Sequence, residues 1–337
     1  MKSSSYAMVV ISVGACLFGL VLLTNVIIDP HAVLGTGLIA DPINRNDRYL
    51  SLVEYEKAAD RFDGLVLGSS RAPAIPGAEL SRRMGANFAN FGVVFGLIAD
   101  HLSVLEYVLR TKEARHQQLR AVFLLLDIDS FGTRPGTNET LQFLLPPALT
   151  GESLVRFHWK YLTAIQFRAW RFEIVRAANR WRSAASATGP AQPPAETPTP
   201  PLTASNPQVA PPAPPAPAVR GDGFTVTDVE LAHQLDLLRH FVMLCHEHGV
   251  RLIVAATPLH RRIAMLYGAD ELTRRREKIA TVVPFWDFDS PGWLSDRPDL
   301  WGDDSHFTEP VGNMMLDVIF GAESSPAPAD FGRLYGK

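Results

Sequence analysis

Cysteine is almost missing from this chain: Cys16 and Cys245 are the only two in 337 residues, so a structural disulfide framework is not available. An excess of basic charge is missing too. The 32 Lys and Arg stand against 35 Asp and Glu, for a net charge of -3, and no run of like charge stands out. That removes the global positive field that draws proteins to nucleic-acid backbone, and nucleic acid is not an expected partner. Metal-ligating clusters are scarce. Cys245-His246-Glu247-His248 is the one dense run, but side chains at i and i+2 of a helix face different ways, so it reads as a solvated helix end. No metal and no other cofactor is expected.

What is present begins with a long apolar run. Met8 to Ile28 is 21 residues without a charge, and about 20 apolar residues cross a bilayer core as a helix. The run exceeds the h-region of a cleaved signal peptide, and no A-x-A site follows it. A lipoprotein reading at Cys16 would leave most of the run in place. The expectation is one N-terminal anchor in the cytoplasmic membrane. Lys2 precedes it and Asp29 follows it, with no basic residue before Arg45, which orients the N-terminus inside and the rest of the chain outside, extracytoplasmic.

Beyond Asp29-Pro30 a polar connector leads to short apolar runs at Phe62–Leu67, Ala86–Phe91, Ala121–Ile128, Arg251–Ala256 and Val282–Phe288. Ala121–Ile128 is continuously apolar rather than alternating, as in parallel strands covered on both faces. Helical patterns fall at Gly96–Lys112, at Thr227–His248 with Thr227 and Glu230 placed as a capping box, and at Thr308–Phe320. Strand, helix, strand in that order predicts right-handed βαβ units. The expected fold is α/β: a three-layer α/β/α sandwich with about five parallel strands. The expected organisation is an anchor at 1–29, a connector at 30–58, a domain whose two parts are 59–188 and 222–322, an insertion at 189–221 and a tail at 323–337. The insertion holds 12 of the 26 prolines between Gly189 and Val219, and such composition cannot bury enough apolar surface to offset its ordering entropy. Gly151 to Arg182 carries seven basic residues against Glu152 and Glu173, with Phe167, Trp170, Ile174 and Trp181 on one helical face. It reads as a core-covering helix with a solvated basic face, with an aromatic and basic helix on anionic headgroups as the alternative.

Two short motifs carry chemistry. The first apolar strand breaks into Gly68-Ser69-Ser70-Arg71, and Trp301 to Gly312 reads W-G-D-D-S-H-F-T-E-P-V-G. A serine hydroxyl is a weak nucleophile until an imidazole takes its proton, and the imidazole needs a third group to orient it. On a loop, Asp303 three residues before His306 can hold Nδ1 and leave Nε2 to face Ser70. Asp304 is the alternate orienter, but its side chain starts on the opposite side of an extended segment.

Gly68-Ser69-Ser70, Asn90-Phe91-Gly92 and Asp303-x-x-His306, in that order, resemble blocks I, II and V of the SGNH (GDSL-like) hydrolase superfamily. The likeness is nearest to membrane-anchored members with G-S-S-R in place of G-D-S, which accompany membrane-bound O-acyltransferases in modifying surface polysaccharides. It covers roughly residues 60–130 and 225–320. The resemblance implies Ser70 as nucleophile, His306 as general base and Asp303 as its orienter, with the backbone amides of Ser70 and Gly92 as oxyanion donors. Arg71, Asn90 and His260, the last following the fourth strand, are candidate substrate contacts. The third block departs: Leu126-Asp127-Ile128-Asp129-Ser130 stands where the family has G-x-N-D, so its asparagine oxyanion donor has no counterpart. The expected function is an exported serine esterase or O-acyltransferase acting on an acylated glycan. The rival is a silent scaffold that binds polysaccharide or a membrane O-acyltransferase.

Overall fold

A computed structural model describes residues 2–39, 42–132, 141–186, 226–288, 292–322 and 326–336. The proline-rich insertion expected at 189–221 lies outside the described residues. The chain divides into two compact units, one of residues 1–53 and 136–198, the other of 54–135 and 199–337.

The first unit opens with α1 (Lys2–Ile28). Its stretch Tyr6–Ile28 has mean hydropathy 2.5 and is long and apolar enough to span a membrane. The connector is not wholly irregular, since α2 (Asp47–Lys57) begins within it. The short α5 (Pro147–Thr150) precedes α6 (Leu154–Thr163) and α7 (Phe167–Ser186). The expectation of one helix over 151–182 is thus corrected to two, broken at Ala164-Ile165-Gln166. Both pack on α1. Asn25 is the hub. Its Nδ2 donates to the carbonyls of Leu162 and Ala164, both at 2.8 Å, and its Oδ1 accepts from Gln166 Nε2 (3.1 Å) and Trp170 Nε1 (2.8 Å). A fully buried amide with both donors and both acceptor sites used meets the usual condition for keeping a polar group inside. Below it, Tyr161 donates to Asp29 Oδ1 at 2.8 Å and accepts from the His31 amide. Burial pushes the Tyr161 hydroxyl up, and burial pulls the His31 imidazole down.

The second unit is α/β, with a mixed and mostly parallel sheet of six strands. They are β1 (Gly64–Gly68), β2 (Phe88–Gly92), β3 (Ala121–Leu126), β4 (Arg251–Ala256), β5 (Phe285–Asp287) and β6 (Arg333–Tyr335), in the order β2-β1-β3-β4-β5-β6. All five residues of β1 and all six of β3 are buried, as their unbroken apolar runs require. The sixth strand comes from the expected tail, runs antiparallel to β5 and stacks Tyr335 on Phe285. Around the sheet lie α3 (Gly77–Met84), α4 (Ile98–Ala114), α8 (Asp228–Glu247), α9 (Arg261–Tyr267), α10 (Ala269–Ala280) and α11 (Glu309–Phe320). Leu80 and Met84 of α3 and Val311, Met315 and Leu316 of α11 share one core with Val66, Phe123 and Leu125 of the strands, while α4 packs on α8. Thr227 and Glu230 close the capping box at the start of α8. Because β1 is followed by β2 on one side and flanked by β3 on the other, strand order reverses between β1 and β3. Open α/β sheets bind ligands at such a point, beyond the carboxyl ends of the strands.

Candidate functional site

Both motifs converge at that point. Ser70 stands two residues past β1, in a turn where Ser69 O accepts from the Ala72 amide at 3.0 Å. On the other side, Trp301 and Phe307 form an antiparallel bridge, and the Gly302 amide donates to His306 O at 2.7 Å, closing a tight loop over 302–306. Within it the Asp303 carboxylate accepts from the backbone amides of Ser305 (2.7 Å) and His306 (2.8 Å) and holds His306 Nδ1 at 2.8 Å. One side chain therefore shapes the loop and fixes the ring. Nε2 is left 2.8 Å from Ser70 Oγ. Desolvation pushes the Asp303 carboxyl up, but the His306 ring and the two amides outweigh it and hold it below the usual carboxylate range. The side chains of His306 and Asp303 are 42% and 55% exposed, so the site opens at the surface rather than in a deep cleft. Asp304 turns away to pair with Arg262 at 2.5 Å.

The remaining expected site residues do other work. Arg71, expected at the substrate, points inward: its guanidinium donates to the Asp127 carboxylate, and its Nε donates to Ser305 O at 2.6 Å. The pair is 7% and 1% exposed. Burial pushes the Asp127 carboxyl up, but Arg71 and the hydroxyls of Ser69 and Thr257 outweigh that and hold it below the usual range. Arg71 thus ties the Ser70 turn to the end of β3 and to the carbonyl beside His306. Asn90, also expected at the substrate, clamps the turn instead, donating to Ala72 O at 3.0 Å and accepting from the Gly92 amide at 2.9 Å. Gly92, expected as an oxyanion donor, thus has its N–H engaged by Asn90 Oδ1. Its need for glycine is steric: a Cβ there would meet Pro73 Cδ at 2.8 Å and Ser69 O at 3.0 Å. His260 caps α9, accepting from the Arg262 amide, and its ring stands edge-on to Trp301 at 5.0 Å. The Ser70 amide, by contrast, donates to nothing among the described residues.

Sequence reading missed the Arg71–Asp127–Thr257 cluster, whose only signal was a charged residue ending a continuous apolar strand. It also missed Phe95, in the loop after β2, which holds φ of 50°, uncommon for an aromatic residue. The Cys245 thiol is buried while His246, Glu247 and His248 are exposed, and no group of three or more His, Cys, Asp or Glu gathers to hold a metal among the described residues.

No family model, curated protein or solved structure matches the chain. The SGNH likeness therefore rests on the three short motifs alone.

Proposed function

We propose that this protein is a membrane-tethered serine esterase or O-acyltransferase of SGNH type, with that superfamily's three-layer sandwich, held outside the cytoplasmic membrane by α1. The observation that carries the reading is the hydrogen-bonded series Ser70 Oγ, His306 Nε2 and Asp303. Ser70 attacks the acyl carbonyl as its proton passes to His306 Nε2. The same proton then goes to the departing alcohol, leaving an ester on Ser70. Water or a sugar hydroxyl attacks that ester and gives its proton to His306, which passes it to Ser70 Oγ as the bond between the acyl carbon and Ser70 Oγ breaks. Asp303 keeps the imidazole in the tautomer that accepts at Nε2. A site open at the surface suits an acylated polysaccharide, and a membrane-bound O-acyltransferase is the partner that would supply acyl groups for transfer.

The Ser70 amide, which donates to nothing among the described residues, is available as one oxyanion donor, whereas the Gly92 amide is engaged by Asn90. Each such donor is worth about 2.7–4 kcal/mol, so turnover should be slow, and this is also what favours the scaffold reading. Full-length protein in detergent should react covalently with a fluorophosphonate and hydrolyse p-nitrophenyl acetate, and Ser70→Ala should do neither. Absence of both in the wild type, with an acetylated polymer still bound, would establish the scaffold instead.

A further inference from the structure

Helices α6 and α7 leave a large apolar surface uncovered. Val155 is 80% exposed, Phe167 72%, Trp181 70% and Trp159 54%, although an ordinary surface carries few such residues side by side. The expected core-covering role fails for this reason: of the four aromatic-face residues, only Trp170 is buried, and it faces Asn25 of α1. Phe167, Ile174 and Trp181 recur at seven-residue intervals, so they form one stripe along α7, and exposed Arg168, Arg171 and Arg182 border it. From 151 to 186 there are seven Lys and Arg against two Glu, a local charge of 7 − 2 = +5.

What lies against this surface is indicated by α1. Residues 6–20 of α1 are exposed, whereas 21–28 are mostly covered within the unit. A hydrocarbon core of about 30 Å takes about 20 residues of helix, and counted from Tyr6 it ends near Asn25. That is the residue to which the end of α6 and the start of α7 are fastened. Trp159 of α6 stands 6.0 Å from Phe18, seven residues or about 10 Å deeper along α1.

We propose that α6 and α7 form an interfacial collar around the outer end of the span, with Trp159 and Val155 in the acyl boundary, the Phe167–Trp181 stripe at headgroup depth, and the bordering arginines on anionic lipid phosphates. Apolar stripes edged with arginine and aromatic residues are the composition of helices that lie in the membrane interface. The collar does not depend on the chemistry of Ser70.

The test uses the full chain, with Cys16→Ser, in nanodiscs containing phosphatidylglycerol. Single cysteines at Val155, Phe167, Ile174 and Trp181 carry the fluorophore NBD, and Val229 of α8, 80% exposed, is the control. The collar predicts blue-shifted emission and quenching by nitroxide-bearing lipid at all four sites, and quenching by aqueous iodide at Val229 alone. Arg168→Glu/Arg171→Glu should weaken lipid quenching at Trp181, and Asn25→Leu should weaken it at Phe167. Iodide quenching at the four sites equal to that at Val229 would overturn the proposal by showing a solvated face. Protection from both quenchers would overturn it by showing that protein covers the stripe.

Discussion

Replacing Arg71 with methionine removes one partner of an ion pair whose side chains are 7% and 1% exposed. The Asp127 carboxylate then keeps its burial and loses its main counter-charge, and breaking such a pair typically costs about 3–5 kcal/mol. For a unit of this size that corresponds to about 6–20 °C in melting temperature, at about 2–4 °C per kcal/mol. The sign with pH is determined. In the wild type the folded-state Asp127 titrates below its unfolded value, so its contribution is present above about pH 4 and lost as pH falls through the folded pKa. In Arg71→Met only the Ser69 and Thr257 hydroxyls oppose burial, the folded pKa should rise above the unfolded one, and the deficit is full at neutral pH and shrinks as acid protonates the carboxyl. The two stability curves should therefore converge below about pH 4. Cys245 offers a reporter within the same unit, since its thiol is 1% exposed and burial pushes it up to about 12. In a Cys16→Ser background, its reaction with a maleimide during heating follows the opening of α8. Arg71→Met/Asp127→Leu should recover the stability, because an apolar pair of similar volume is often neutral or better than a buried ion pair. It should not recover fluorophosphonate labelling, which should stay lower by about 10–100-fold, because the link to Ser305 O is gone and small misplacements of reacting groups cost that much. A deficit in Arg71→Met below 1 kcal/mol, or one independent of pH, would refute this account of the pair.

Ser70→Ala and His306→Ala should each lower acyl-ester turnover on the order of 10⁴-fold or more, and the double variant should be hardly worse than either, as for residues that act as one unit. Asp303→Asn should cost nearly as much in stopped-flow acylation, whereas Asp304→Asn loses only an exposed pair with Arg262 and should stay within a few-fold of wild type. Gly312→Ala should destabilise by about 1–3 kcal/mol, because a Cβ at Gly312 would lie 2.0 Å from Ala74 O, and both urea midpoint and labelling rate should fall. Native Cys245 should resist Ellman's reagent until the chain is unfolded, since the thiolate is the reactive form.

The parts of the fold that could be read in advance are those whose physics is local. The continuous apolar runs became β1, β3 and β4 within two residues of expectation, and the Thr227–Glu230 box starts α8 where it was placed. The strand Arg333–Tyr335 was not legible, since three partly exposed residues show no periodicity. The pairing of Ser70 with His306 and of His306 with Asp303 follows from side-chain types and order. The engagement of Gly92 by Asn90, and the inward turn of Arg71 toward Ser305 O, depend on backbone groups that a sequence does not display. The break between α6 and α7 is likewise set by where Asn25 takes the carbonyls of Leu162 and Ala164.

Ser70 and His306 are 236 positions apart, and the loop that carries His306 leads directly into α11, whose Gly312 lies against the turn that follows Ser70. During synthesis the proposed nucleophile is made long before its proposed base. A ribosome-bound or truncated chain lacking residues 301–320 would have no imidazole beside Ser70, however well β1 to β4 have formed. On the proposed chemistry, chain order itself delays the serine's activation until the segment from Trp301 onward docks against the turn after β1.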